Sequence, residues 1–153
     1  MKIRTGFVSN SSSSSFVLFL KEEVRTVEDV KRIFHKIGSF VTAKINDNNI
    51  NSELVYERLF EKITGLKSKF LNDIKYRLGD YESRQDSEYR GEWKKEDWEK
   101  YENKIYETYI KMFPDRFIYT FDIDDWEYNT DWFINNRLDW DSLEIDFISF
   151  NNR

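Results

Sequence analysis

The chain has 153 residues, of which 39% are hydrophobic, 18% aromatic and 35% charged. That length suits one compact domain burying roughly 68–70% of its unfolded surface, and the large rings argue against disorder. With no cysteine and a single histidine, His35, the chain lacks the residues for disulfides, thiolate chemistry or a zinc centre of the usual ligand set, and no cofactor is implied.

No run of about eighteen apolar residues suggests a transmembrane helix, so no membrane is expected. The polar Ser9–Ser15 run stands where a signal peptide needs its apolar stretch, and the protein reads as cytoplasmic. The net charge of −5 is unevenly spread. Residues 1–114 carry 21 basic and 19 acidic residues, whereas residues 115–153 carry three basic and ten acidic ones. One end of the chain is therefore strongly negative.

In chain order, Lys2–Val8 reads as a short strand and Ser9–Ser15 as a loop. Phe16-Val17-Leu18-Phe19-Leu20 is a continuous apolar run of strand length, expected near the middle of a sheet. The serines suit a turn-forming loop whose hydroxyls satisfy nearby backbone groups. An anion-binding or modifiable loop is the functional alternative, but the lysine and second glycine of a nucleotide-binding P-loop are missing.

The opening MKIRTGFVSNSSSSSFVLF resembles the N-terminus of a loose group of small uncharacterised phage and mobile-element proteins, which begin with a similar Gly-Phe-Val-Ser-Asn-serine-run-Phe signature. Gly6 through Phe16 carry the resemblance. It implies a phage or mobile-element origin and transfers no activity or site.

Thr26-Val27-Glu28-Asp29 is a helix-capping signature, followed by apolar Val27, Val30, Ile33, Phe34 and Ile37 at helical spacing. Gly38 is placed to end that helix. Ser39–Ile45 alternates weakly and reads as a strand, with Asp47-Asn48-Asn49 as a turn. Ser52 is placed to cap a long helix whose stripe is Leu54, Val55, Leu59, Ile63, Leu66, Phe70, Ile74 and Leu78, kinked or divided at Gly65. Gly79–Asp86 reads as a polar linker. A third helix spans Ser87–Phe113 on the stripe Trp98, Tyr101, Ile105, Tyr109 and Met112, and Pro114 stops it.

The acidic-aromatic segment 115–150 closes the chain. Phe117, Tyr119, Phe121 and Ile123 alternate with Asp122 and Asp124, and Leu143, Ile145 and Phe147 alternate with Glu144 and Asp146, both patterns of strands. Trp132-Phe133-Ile134 suggests a strand between them, giving an antiparallel meander with carboxylates on its exposed face. The fold class is α+β, one domain over 1–153, with an antiparallel sheet and helices near 27–37, 53–78 and 88–113 on one face.

Three readings of the acids compete. They keep an aromatic-rich sheet soluble and discourage edge pairing. Or they form an acidic-aromatic, nucleic-acid-like surface for a host protein with a basic patch, as a DNA mimic would. Its candidate residues are Asp122, Asp124, Asp125, Trp126, Glu127, Asp131, Trp132, Asp139, Trp140, Asp141, Glu144 and Asp146. Or Asp122-x-Asp124-Asp125 and Asp139-x-Asp141 hold divalent metal in an enzyme acting on phosphate esters, although no lysine or histidine accompanies them as base or clamp.

Direct nucleic-acid binding is disfavoured, since neutralising phosphates needs clustered Lys and Arg. No elbow-type motif surrounds any serine, so nucleophilic catalysis is not indicated. Among functions, the charge asymmetry favours binding over catalysis. With the N-terminal resemblance it suggests an anti-defence inhibitor from a mobile element, its oligomeric state undefined.

Overall fold

The computed structural model describes residues 2–4, 13–44, 50–85, 93–124 and 130–151. The elements run β1 (Lys2–Arg4), β2 (Ser13–Leu20), α1 (Val27–Ile33), α2 (Lys36–Lys44), α3 (Ser52–Ile63), α4 (Leu71–Gln85), α5 (Lys95–Met112), β3 (Phe117–Asp124), α6 (Thr130–Asn136) and β4 (Asp146–Asn151). The fold is α+β, and its four strands lie in the order β1-β4-β2-β3.

The apolar run Phe16–Leu20 occupies the interior of the sheet, as a strand apolar on both faces must. β2 pairs antiparallel with β3 (Phe16 opposite Phe121) and with β4 (Phe16 opposite Ser149). The sheet is mixed rather than wholly antiparallel, because β1 runs parallel to β4, Lys2 opposite Phe147. β3 and β4 are therefore not adjacent, and no C-terminal meander forms.

Helices cover both faces of the sheet, not one. Phe16, Leu18, Tyr119, Phe121 and Phe147 point into a core closed by Val30, Phe34, Ile37, Val55, Leu59, Ile63 and Phe133. Val17, Phe19, Ile148 and Phe150 point the other way, against Ile74, Leu78, Tyr81, Tyr109 and Phe113 of the α4–α5 side. The face expected to carry carboxylates into solvent is thus roofed by helices.

The serine run is cut by this geometry. Ser13–Ser15 belong to β2, where buried Ser14 donates to Asn151 Oδ1 (2.8 Å) and Ser15 to Asp122 Oδ1 (2.7 Å). Those hydroxyls satisfy neighbouring strands rather than lining a loop. Ser9–Ser12 lie outside the described residues, as does Asp47-Asn48-Asn49.

α1 starts where its capping signature places it. Thr26 accepts the Asp29 N–H, and the Asp29 carboxylate accepts the Thr26 N–H in return. The Arg25 N–H, the Arg32 guanidinium and the Thr26 N–H together hold the Asp29 carboxyl down to about 2. A carboxyl depressed in the fold stabilises above its unfolded value near 4, and that contribution is lost as pH falls towards 2. Asp29→Asn is expected to lower neutral-pH stability and flatten the stability slope between pH 4 and 2 in urea unfolding. An unchanged slope would remove the cap from the account.

Three sequence expectations are corrected among the helices. The helix expected over 27–37 breaks at Phe34-His35, and Gly38 and Ser39 lie inside α2, not at a helix end and a strand; Ile37 and Val41, one helical turn apart on α2, are both buried. The Gly38 N–H donates to Tyr56 Oη at 3.1 Å. The long helix divides at Thr64-Gly65, as Gly65 suggested, and α4 begins afresh at Leu71, but Asn51, not Ser52, caps α3 by accepting the Leu54 N–H. Gly79 is a packed α4 residue rather than a linker, and a Cβ there would come within 2.8 Å of Glu102 Cγ on α5. α5 itself begins at Lys95, and Met112 of its stripe is exposed.

Candidate partner-binding surface

The acids of the closing segment fall into two groups, and arginines make the division. Asp122, Asp131 and Asp146 are gripped by cations from distant parts of the chain. Arg77 of α4 donates to Asp122 Oδ2, while Ser15 occupies the other oxygen. Arg58 of α3 meets Asp131 through both oxygens, Nε to Oδ1 at 2.5 Å and Nη2 to Oδ2 at 2.9 Å. Such a two-point fork has the geometry that makes arginine–carboxylate pairs strong. Arg116 donates to Asp146 Oδ2 at 2.7 Å and to the Phe19 carbonyl, with its guanidinium over the Phe113 ring. These three carboxylates belong to the fold's internal wiring.

The second group stands on the loop 137–145, between α6 and β4. Leu138, Trp140, Leu143 and Ile145 are buried, while Asp139, Asp141 and Glu144 are exposed. The anchor is Trp140, 1% exposed, its ring 4.7 Å from Phe16 and 5.1 Å from Phe147. Its Nε1–H donates to the Ile134 carbonyl at 2.8 Å, giving the buried indole its hydrogen bond. Ser142 donates to Asp139, and Lys2 Nζ donates to the Asp141 and Leu143 carbonyls, tying β1 to the loop. Lys36 pairs with Glu144 at 2.9 Å and holds its carboxyl below the usual range. The Asp139 and Glu144 carboxylates are thus held by neighbours, and Asp141 stands on backbone tied to β1.

The rings do not stand in solvent among these acids. Trp140 is a core residue rather than a contact ring. Trp132, expected on a strand, lies half-buried on α6 with Arg137 over its face at 5.2 Å. Asp124 is exposed at the end of β3. Asp125, Trp126 and Glu127 lie outside the described residues.

The metal alternative draws nothing from the described residues. Among them no three His, Cys, Asp or Glu side chains converge on a point, and both Asp122 oxygens are already occupied by Arg77 and Ser15. Among the described residues no helix is long and apolar enough to cross a membrane.

Sequence reasoning missed Lys36, Arg58 and Arg77. They lie 45 to 108 residues before the acids they bind, and spacing rules reach only a turn or two. It also placed Leu66 and Phe70 in the core, whereas both are exposed beyond the break at Gly65. There the glycine itself was the usable signal.

No protein-family model, curated protein or solved structure matches the chain.

Proposed function

We propose that the protein acts by binding another protein, and that the loop 137–145 supplies the contact. The observation that carries this reading is the alternation of buried anchors with exposed carboxylates, Asp139, Asp141 and Glu144, on a loop held by Trp140. Preorganised charge of this kind loses little entropy on association and steers a basic partner towards the site. Because Trp140 is internal, the carboxylates rather than the rings read the partner. Asp124, at the opposite end of the sheet, is not part of this loop.

The class of partner is inferred from the acidic surface taken together with the phage or mobile-element resemblance of the N-terminus, which itself transfers no site. A chain from a phage or mobile element with a rigid acidic surface suits the role of an inhibitor. It would occupy a basic channel of a host protein, such as a nucleic-acid-handling defence enzyme, in place of phosphates.

Immobilised protein should capture a basic host protein from lysate at low salt and release it at high salt, since exposed charges are screened over about 10 Å at 0.1 M. Asp139→Asn/Asp141→Asn/Glu144→Gln should weaken capture about tenfold, at roughly 0.5 kcal/mol for each exposed charge. Equal capture by the variant, or no basic protein at any salt, would defeat the proposal.

A further inference from the structure

The most exposed large apolar side chain described is Leu66, at 84%, followed in the same turn by Phe70 at 49% and Leu71 at 47%. Single exposed leucines are ordinary; three within six residues on a fixed turn are not. The α3–α4 turn is pinned to the edge of the sheet. The Thr120 N–H of β3 donates to the Ser68 carbonyl at 2.8 Å, and the buried Ser68 hydroxyl donates back to Ile63. Lys69 is held by Glu23 at 3.3 Å above the Tyr119 ring. Beside Leu66, Lys62 and Lys67 line the cleft between the turn and β3, and neither forms an ion pair. The turn is a rigid apolar knob with a basic collar.

The chain also carries the complement of that knob. Next to the acidic loop lies a cleft of about 230 Å³, with Leu20, Ile33 and Ile145 in its walls and Glu144 at its rim. Cavities of ~150 Å³ accept a benzene ring, so a leucine side chain fits. The arginines lining it are already matched, Arg32 by Glu22 and Asp29 and Arg116 by Asp146. Lys21 and His35 are its other basic groups.

We propose that the α3–α4 turn of one copy docks on a second copy of this chain, with Leu66 entering the cleft and Lys62 and Lys67 facing Asp139, Asp141 and Glu144. Turn and cleft are different patches, so the contact is heterologous: it closes a ring or extends a chain of subunits. The self-contact stands on its own geometry. Its competition with a partner for the acidic loop rests on the binding reading above.

Sedimentation velocity over a concentration series tests it. At low salt the wild-type mass should rise with concentration, and at high salt it should fall to the monomer. Leu66→Asp, Lys62→Glu/Lys67→Glu and Asp139→Lys/Asp141→Lys should each associate at least about tenfold more weakly, with unchanged circular dichroism. Mixing the last two variants should restore association, since each supplies the surface that complements the other. Lys21→Glu removes the unmatched cation from the cleft and should tighten the contact. A wild-type monomer throughout the series, or charge-swapped variants that each associate like wild type when alone, would overturn the proposal. So would a monomer that instead sediments with anionic phospholipid vesicles through Leu66. Loss of capture from lysate with self-association intact would sink the partner reading alone.

Discussion

Trp140→Ala is expected to cost about 3–5 kcal/mol of unfolding free energy, the range for truncating a large buried ring. The indole fills the space between Phe16 of β2 and Phe147 of β4 and satisfies the Ile134 carbonyl. Its removal opens a cavity and orphans a buried acceptor together. For a domain whose whole stability is about 5–15 kcal/mol, the variant should be largely unfolded in modest urea. Trp140→Phe separates the two parts: it keeps most of the packing and loses the hydrogen bond, at about 1–2 kcal/mol. Urea unfolding followed by far-ultraviolet circular dichroism measures both. A loss below about 1 kcal/mol for Trp140→Ala would mean that the ring does not anchor the loop.

The second large effect is expected at Arg58. Asp131 is 8% exposed at the start of α6, and the Arg58 fork reaches it from α3. Breaking a buried ion pair from one side costs ~3–5 kcal/mol. Arg58 itself is over a third exposed, so water offsets part of that, and Arg58→Ala should lose about 2 kcal/mol. Asp131→Asn should lose less, because the amide oxygen still accepts from one arm of the guanidinium. The double variant Arg58→Ala/Asp131→Asn should be more stable than the sum of the singles implies, since no charge is left stranded. Strict additivity in the cycle would show that the two side chains are not coupled.

The α6 segment is also one where the sequence misleads. Trp132-Phe133-Ile134 is three apolar residues in a row, which suits a strand as well as a helix. Arg58, 73 positions earlier, ties the start of that helix to α3, and no local pattern contains the contact. Strands β2 and β3, by contrast, are legible because their alternation or continuity is complete within eight residues. The cap of α1 was legible for the same reason. At Ser39–Ile45 the helical signal was present, in the spacing of Ile37 and Val41, but Gly38 reads as a terminator when its contact with Tyr56 is unknown.

The candidate surface was legible only in outline. The sequence shows where the acids are dense, but three of the described ones, Asp122, Asp131 and Asp146, are consumed by arginines that folding delivers. What distinguishes Asp139 and Asp141 is that their buried neighbours hold them out. That is visible only once Trp140 is known to turn inward. Charge density counts residues, whereas a surface depends on which of them remain uncompensated.

The strand order has a further meaning for how the chain is made. β4, which lies between β1 and β2, leaves the ribosome more than 120 residues after both. The most apolar strand of the protein therefore emerges about a hundred residues or more ahead of either neighbour. Contacts of such long sequence separation are slow to form, and a waiting apolar strand is the species that chaperones exist to shield. A nascent chain arrested before residue 146 would present β2 without its β4 partner, so the closing strand is also the step that commits the newly synthesised chain to its fold.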